Sequence, residues 1–374
     1  MNASNNRIPR KILMTTDNVG GVWAYAIELC GQLCAHGIEV VLAVTGGPFT
    51  NGQRTEVAAI NRLQARWRPY KLEWMPGCEN DIRRTGDWLI ELCQEIEPDM
   101  VHLNNYAHAA LPFGVPVLVT SHSSVCTWYD AVKCCEMPAQ YSSYKEWIQT
   151  GLNGADIVVA PTRAMLESLR RRYGACWKAA VIYNGRSGFE AGQGSKEEII
   201  LSVGRLWDEG KNITVLDRIA GRLPWPVYVA GELASPDGSS RSYSNISEIG
   251  MLEPDSVRKW LLRTAIYAAP AKYEPFGLGI LEAAMAGCAL VLGDIPSLKE
   301  LWDGCAVFAS PDDEEQFEKA IMVLIQDKSR LKQMGQKAMN RAKMYSARAM
   351  GTKYMELYSE LLNASKQSLE GSLI

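Results

Sequence analysis

The sequence predicts an α/β protein made of two doubly wound parallel units facing a central cleft. Three observations carry that prediction. Short apolar runs alternate with amphipathic stretches along the whole chain, the pattern left by strand–helix–strand crossovers. The alternation pauses at Asn184–Lys196 (NGRSGFEAGQGSK), a Gly- and Ser-rich stretch with no apolar period, suited to a hinge. The chain has 374 residues, enough for two separate cores.

The elements follow in order. Lys11–Thr16 reads as the first strand, and Val22–His36 as a helix with Ala26, Ile27, Leu29, Cys30 and Leu33 on one stripe. Val40–Val44 is the second strand. Trp88–Ile96 is a helix ended by Pro98. Strands at Met100–Leu103, Val117–Thr120 and Ile157–Ala160 follow, then a helix over Thr162–Tyr173 and a strand at Val181–Tyr183. Past the hinge, strands are expected at Ile199–Val203, Val227–Ala230, Ala265–Ala268, Ala289–Leu292 and Ala306–Phe308. Glu314–Ile325 and Ser329–Met344 are helical by period, with Ser329 as the cap of the second. A last amphipathic helix covers Ala347–Leu362, before a polar tail. The expected domains are residues 1–185, residues 186–345, and a 346–374 segment whose helix packs back on the first domain. In open sheets of this kind, ligands bind in the crevice at the carboxyl ends of the strands.

Composition narrows the function. Hydrophobic residues make up 47% and charged ones 22%, with a net charge of -3. A nucleic-acid-binding chain is usually strongly basic, so that class is disfavoured. The longest apolar stretches, Val115–Val119 and Ile280–Leu292, are short or interrupted, whereas a membrane span needs about 20 residues. MNASNNRIPRK lacks the apolar run of a signal peptide, so a cytoplasmic protein is expected. Ten cysteines are scattered through the chain, most of them inside apolar stretches, and with four histidines no zinc spacing forms. No metal site is expected.

The strongest motif is Ala271–Gly287 (AKYEPFGLGILEAAMAG). A turn carrying Pro270, Glu274, Pro275, Gly277 and Gly279 leads into a helix. Glu274 and Glu282 stand eight positions apart, about 12 Å if both lie on the helix. That is roughly the reach from a sugar ring to a nucleotide ribose. The Gly-rich entry lets helix N–H groups approach a diphosphate. The bland alternative is a capping turn with two surface glutamates.

These residues resemble the signature of the nucleotide-sugar glycosyltransferases of family four, E-x-F-G-x-x-x-x-E-A-x-A-x-G. Here it reads Glu274-Pro-Phe-Gly-Leu-Gly-Ile-Leu-Glu282-Ala-Ala-Met-Ala-Gly287, with Met285 where the family usually has Ala. The GDIPSLKEL that follows is similar too. The resemblance covers most of the chain and is most specific over Ser202–Pro311. It implies the GT-B fold, two Rossmann-like domains, and a retaining, metal-independent transfer of a hexose from a UDP- or GDP-linked sugar. The donor is a substrate; no cofactor is implied.

The resemblance also implies site residues. In Ser202-Val-Gly-Arg-Leu-Trp-Asp-Glu-Gly-Lys-Asn212, Arg205 and Lys211 would clamp the diphosphate, although the family's Lys often falls one position earlier. Glu274, Phe276, Gly277, Leu278 and Glu282 would line the donor, with Glu274 on sugar hydroxyls and Glu282 on the ribose. Gly20 and Gly21, in Asp17-Asn-Val-Gly-Gly-Val22, would lie beside the phosphates and the acceptor. His122, in Thr120-Ser-His-Ser-Ser, would bond a hydroxyl of the transferred sugar. His102 would line the acceptor side, with a weaker case for His108.

Some readings stay open. Arg62–Trp74 (RLQARWRPYKLEW) is either a solvated face with aromatic anchors or a peripheral contact with an anionic membrane. Arg170–Arg172 complement a helix end. The acceptor could be a glycan, a lipid-linked sugar or a small molecule. The rival functions are a nucleotide-sugar epimerase or hydrolase on the same fold, and a binding partner without catalysis.

Overall fold

The computed structural model describes residues 7–188, 195–234 and 241–371, with side chains to residue 365. The strand β1 (Lys11–Asp17) is an apolar run buried on both faces, as the middle of a parallel sheet requires. Around it the first unit adds α1 (Gly21–Ala35), β2 (Glu39–Thr45), α2 (Asn51–Ala58), β3 (Leu63–Arg68), α3 (Glu79–Ile96), β4 (Met100–Leu103), β5 (Val117–Thr120), α4 (Val125–Val132), α5 (Ser142–Gly154), β6 (Ile157–Ala160), α6 (Arg163–Tyr173) and β7 (Ala179–Val181). The sheet is parallel throughout, in the order β3-β2-β1-β4-β5-β6-β7. Its core includes Leu13, Val41, Leu89, Val101, Val119 and Ile148.

The second unit contains β8 (Glu197–Val203), α7 (Ile213–Ala220), β9 (Val227–Ala230), β10 (Ser247–Glu248), α8 (Pro254–Arg263), β11 (Thr264–Ala269), α9 (Leu278–Met285), β12 (Ala289–Gly293), α10 (Pro296–Trp302), β13 (Ala306–Ala309), α11 (Glu314–Gln326) and α12 (Lys328–Ala342). Its parallel sheet runs β10-β9-β8-β11-β12-β13, over a core that includes Ile200, Leu216, Val229, Ile266, Val291 and Phe317. The strand order reverses direction between β1 and β4 in the first sheet and between β8 and β11 in the second. Each is a switch point, where the loops splay apart and leave a crevice.

The last helix, α13 (Ala347–Gly371), belongs to the first unit and packs on α1. The described first unit spans residues 7–127, 136–185 and 347–371; the second takes 128–135 and the described part of 186–346. The end of α4 thus groups with the second unit, which the sequence does not foreshadow.

Two expectations need correction. The helix expected from Ser329 is capped by Asp327, whose side chain accepts from Arg330 N–H. The strand expected at Val181–Tyr183 pairs as Ala179–Val181 instead. Arg62–Trp74 holds an edge strand, β3, in which Leu63, Ala65 and Trp67 turn inward relative to Gln64, Arg66 and Arg68. Residues 189–194 of the expected hinge lie outside the described residues. Its start is pinned, because Arg186 N–H donates to Tyr345 O and pairs with Ser346. Among the described residues no helix is long and apolar enough to cross a membrane.

Candidate functional site

Arg205, Lys211 and Glu274 follow the carboxyl ends of β8 and β11, on the two sides of the switch point. After β8 the chain passes Arg205 and turns through a short 3-10 helix, Glu209–Lys211. After β11 it passes Glu274 and enters α9 at Leu278. Two contacts lock these loops together. Gly210 O accepts from the backbone N–H of Lys272 (2.9 Å) and of Tyr273 (3.2 Å). Asn212, in the left-handed region at φ 56°, donates its side-chain amide to Pro270 O and Pro311 O.

On this frame Lys211 forms an ion pair with Glu274, both half-buried. Arg205 stays 44% exposed at its side chain, with Nη2 donating to Asp208 at 3.1 Å. Glu282, one turn into α9, pairs with Arg186 at 2.8 Å. Ser297 donates to Glu274 O at 2.6 Å and fixes the backbone under that carboxylate. Burial pushes the Tyr267 phenol up, so it stays protonated and donates to Val203 O.

The helix begins four residues after Glu274, so the two glutamates do not share one helical rise. Glu274 sits on the entry turn and Glu282 on the helix. Gly277 makes that turn with φ 85°, and a Cβ there would crowd Ile280 and Glu274. No side chain caps α9, which leaves its first N–H groups to other acceptors. Leu278 is half-buried at this entry. Phe276 departs from expectation: its ring is buried edge-on against Tyr345, so only its backbone can face a ligand.

The first unit carries Gly20, Gly21 and His122 at the carboxyl end of its own sheet. Gly20 caps α1 with φ 65°, and a Cβ at either glycine would meet nothing within 4 Å. The loop is open enough for a ligand to reach its backbone. His122 follows β5 and bonds Asn104, which follows β4. Asn104 donates its amide to Thr15 O (2.7 Å), so its oxygen must face His122 Nε2 at 2.8 Å. That assignment places the imidazole proton on Nε2 and leaves Nδ1 as the acceptor. Burial lowers the His122 pKa to about 3, so the ring is neutral at pH 7. The Tyr25 ring braces it at 4.5 Å.

His102 and His108 are both buried and bonded within the first unit. His102 is fully buried, with Nδ1 on Tyr358 OH and Nε2 on Thr120 Oγ1, both at 2.7 Å. His108 is buried too, with Nε2 on Ile82 O. Asn104, Asp208 and Arg186 are the residues that sequence reasoning missed. Asp208 lay inside the quoted motif, and Asn104 directly follows a strand, but neither type is diagnostic alone.

A family model described as Glycosyltransferase Family 4 matches residues 19–187, and one described as Glycosyl transferases group 1 matches residues 187–341. Among curated proteins, the glycogen synthase of Mycobacterium tuberculosis is 25% identical over 320 residues, 75% of this chain and 76% of that protein. Among solved structures, sucrose-phosphate synthase from Thermosynechococcus elongatus matches with a TM-score of 0.75 at 16% identity, covering 95% of this chain and 100% of that one. HepE of Anabaena, solved with UDP-glucose, matches with a TM-score of 0.71 at 14% identity, over 94% and 100%. The two family models meet at residue 187, so the first spans β2 to β7 and the second spans β8 to β13. The chain belongs to the group 1 glycosyltransferases of family 4, and is a glycosyltransferase with two Rossmann-like domains of the GT-B kind.

Proposed function

We propose that this enzyme is a retaining, metal-independent hexosyltransferase using a UDP- or GDP-linked donor. The observation that carries the reading is the convergence of Arg205, Lys211 and Glu274 with the uncapped start of α9. Two cations and a helix N-terminus suit a diphosphate. The Lys211–Glu274 pair suits exchange. A diphosphate draws Lys211 away, and the released Glu274 carboxylate accepts from sugar hydroxyls. Glu282, oriented by Arg186, binds the ribose hydroxyls. Phe276, Gly277 and Leu278 present backbone to the donor, and Gly20 and Gly21 line the phosphate and acceptor side. His122 offers Nδ1 to a hydroxyl of the transferred sugar.

In the reaction the bond from the anomeric carbon to the β-phosphate oxygen breaks, and its electrons stay on that oxygen. Arg205 and Lys211 stabilise the charge as it builds. The acceptor hydroxyl bonds to the same face of the oxocarbenium-like sugar. Its proton passes to the departing phosphate oxygen, so the protein needs no strong base. UDP-glucose bound to HepE and the glucan chemistry in the relative's name make glucose the first donor sugar to try. Glycan, lipid-linked and small-molecule acceptors form the screening set.

The test is thermal stabilisation by UDP, GDP, ADP and their hexose conjugates. A ligand at about 100 times its Kd raises stability by roughly 2.7 kcal/mol. One nucleotide should stabilise the wild type selectively, and Arg205→Ala and Glu282→Ala should weaken the effect. No shift with any nucleotide at millimolar concentration would sink the donor site. Product anomeric configuration, read by NMR, then decides retention.

A further inference from the structure

Asp208 is a buried carboxylate, 7% exposed, on the turn between Arg205 and Lys211. Three donors converge on it. Oδ1 accepts from Gly210 N–H at 2.8 Å and from the Trp128 indole N–H at 3.0 Å. Oδ2 accepts from Arg205 Nη2 at 3.1 Å. Its own carbonyl accepts from Lys211 N–H at 2.9 Å. One residue therefore closes the turn that presents Lys211 and also holds the Arg205 guanidinium. The guanidinium is steadied a second time, with its carbon 5.3 Å from the centre of the Trp207 ring.

We propose that Asp208 is the positioning residue of the diphosphate clamp, aiming Arg205 and setting the turn of Lys211, with Trp128 fixing the carboxylate in place. This rests on the donor-site reading above. An unanchored arginine spreads over many rotamers, and binding a diphosphate must then freeze it. Asp208 uses one edge of the guanidinium and leaves the rest of its donors to the ligand. Trp128, from the end of α4, supplies the neutral donor that a buried carboxylate needs to stay fixed.

Two simpler roles make opposite predictions. If Asp208 only capped the turn, Asp208→Asn would be silent, because Asn caps as well as Asp. If it only neutralised Arg205, Asp208→Asn would tighten diphosphate binding by removing a negative charge. Positioning predicts weaker binding. Titration calorimetry would compare UDP with uridine, or GDP with guanosine if GDP stabilises the wild type. In Asp208→Asn the diphosphate should bind about tenfold more weakly, with the nucleoside unchanged. In the Arg205→Ala background the same substitution should add less than twofold, because Asn still closes the turn of Lys211 and the contact it removes acts through Arg205. Asp208→Glu should recover part of the loss. Trp128→Phe is the second variant should Asp208→Asn fold poorly, and should cost about threefold on the diphosphate alone. Unchanged or tighter diphosphate binding in Asp208→Asn, or in Trp128→Phe if only that variant folds, overturns the proposal. An equal loss on the nucleoside does so as well. If Arg205→Ala itself leaves diphosphate affinity intact, the donor-site reading has failed, and this inference falls with it.

Discussion

His102 lies within the apolar strand β4 and His122 follows β5, and burial lowers both pKa values to about 3. Their surroundings separate them. His102 meets Tyr358 and stacks on Tyr354 of α13, whereas His122 is only half-buried and bonds a neighbouring loop. Local sequence could not tell them apart, because the tyrosines that enclose His102 lie some 250 positions later in the chain. Glu73 has the opposite shift. Burial raises its pKa to about 7, although Tyr106 and Ala107 N–H groups donate to it. The histidines favour the unfolded state as pH falls. Their folded pKa values lie below the unfolded 6.5, so stability present above 6.5 is lost as pH drops toward 3. Glu73's contribution is full below 4.5 and is lost as pH rises to about 7. The two opposing trends overlap between 4.5 and 6.5. Glu73→Gln removes the compensating one, so its stability should fall more steeply on acidification than the wild type's. Each uncompensated proton adds about 1.4 kcal/mol per pH unit. Urea unfolding at pH 5.0 and 6.5 checks this; equal slopes for the two proteins would mean that Glu73 is ionised in the native state throughout.

Most strands were legible because parallel strands are buried on both faces and read as unbroken apolar runs. The edge strand β3 escaped, since Arg66 and Arg68 alternate with Ala65 and Trp67 and the run is never apolar. The helices α2, α4 and α5 also escaped; of these α2 buries none of its residues and leaves no apolar stripe to find. The Glu274–Glu282 motif gave the right loop, with Glu274 and the left-handed Gly277 on the turn, and the helix starts at Leu278, just ahead of the Gly279 expected in that turn. The last helix was legible by its period; its docking combines the Tyr354 and Tyr358 contacts with a close approach to α1. A Cβ at Gly351 would lie 2.6 Å from Gln32 Cβ on α1. Gly351→Leu should therefore lift α13 and loosen Tyr354 and Tyr358 over His102. Overpacking of this kind costs roughly 1–3 kcal/mol. Urea unfolding followed by circular dichroism would show the loss, and a midpoint equal to the wild type's would mean that α1 and α13 yield without cost.

Each unit has its own parallel sheet and its own buried cluster, and the chain crosses from one to the other at residues 127–128, 135–136, 185–186 and 346–347. Those divisions give a ligand a local address. The charged and helix-end donors proposed for the diphosphate, Arg205, Lys211 and the start of α9, all belong to the second unit, as does Glu274 on the sugar side. A nucleotide without its acceptor should stabilise that unit's loops first, because ligand binding suppresses the local openings of the segments it holds. Hydrogen exchange with saturating UDP or GDP, whichever binds, should slow the amides of residues 203–212 and 274–285. The amides of β4 and of α13 around His102, Tyr354 and Tyr358 should keep their free-state rates. Protection in the first unit alone would place the nucleotide at the Gly20–Gly21 loop and assign the Arg205–Glu274 cluster to structure. Protection in both units at once would mean that the nucleotide alone suffices to couple them, before any acceptor arrives.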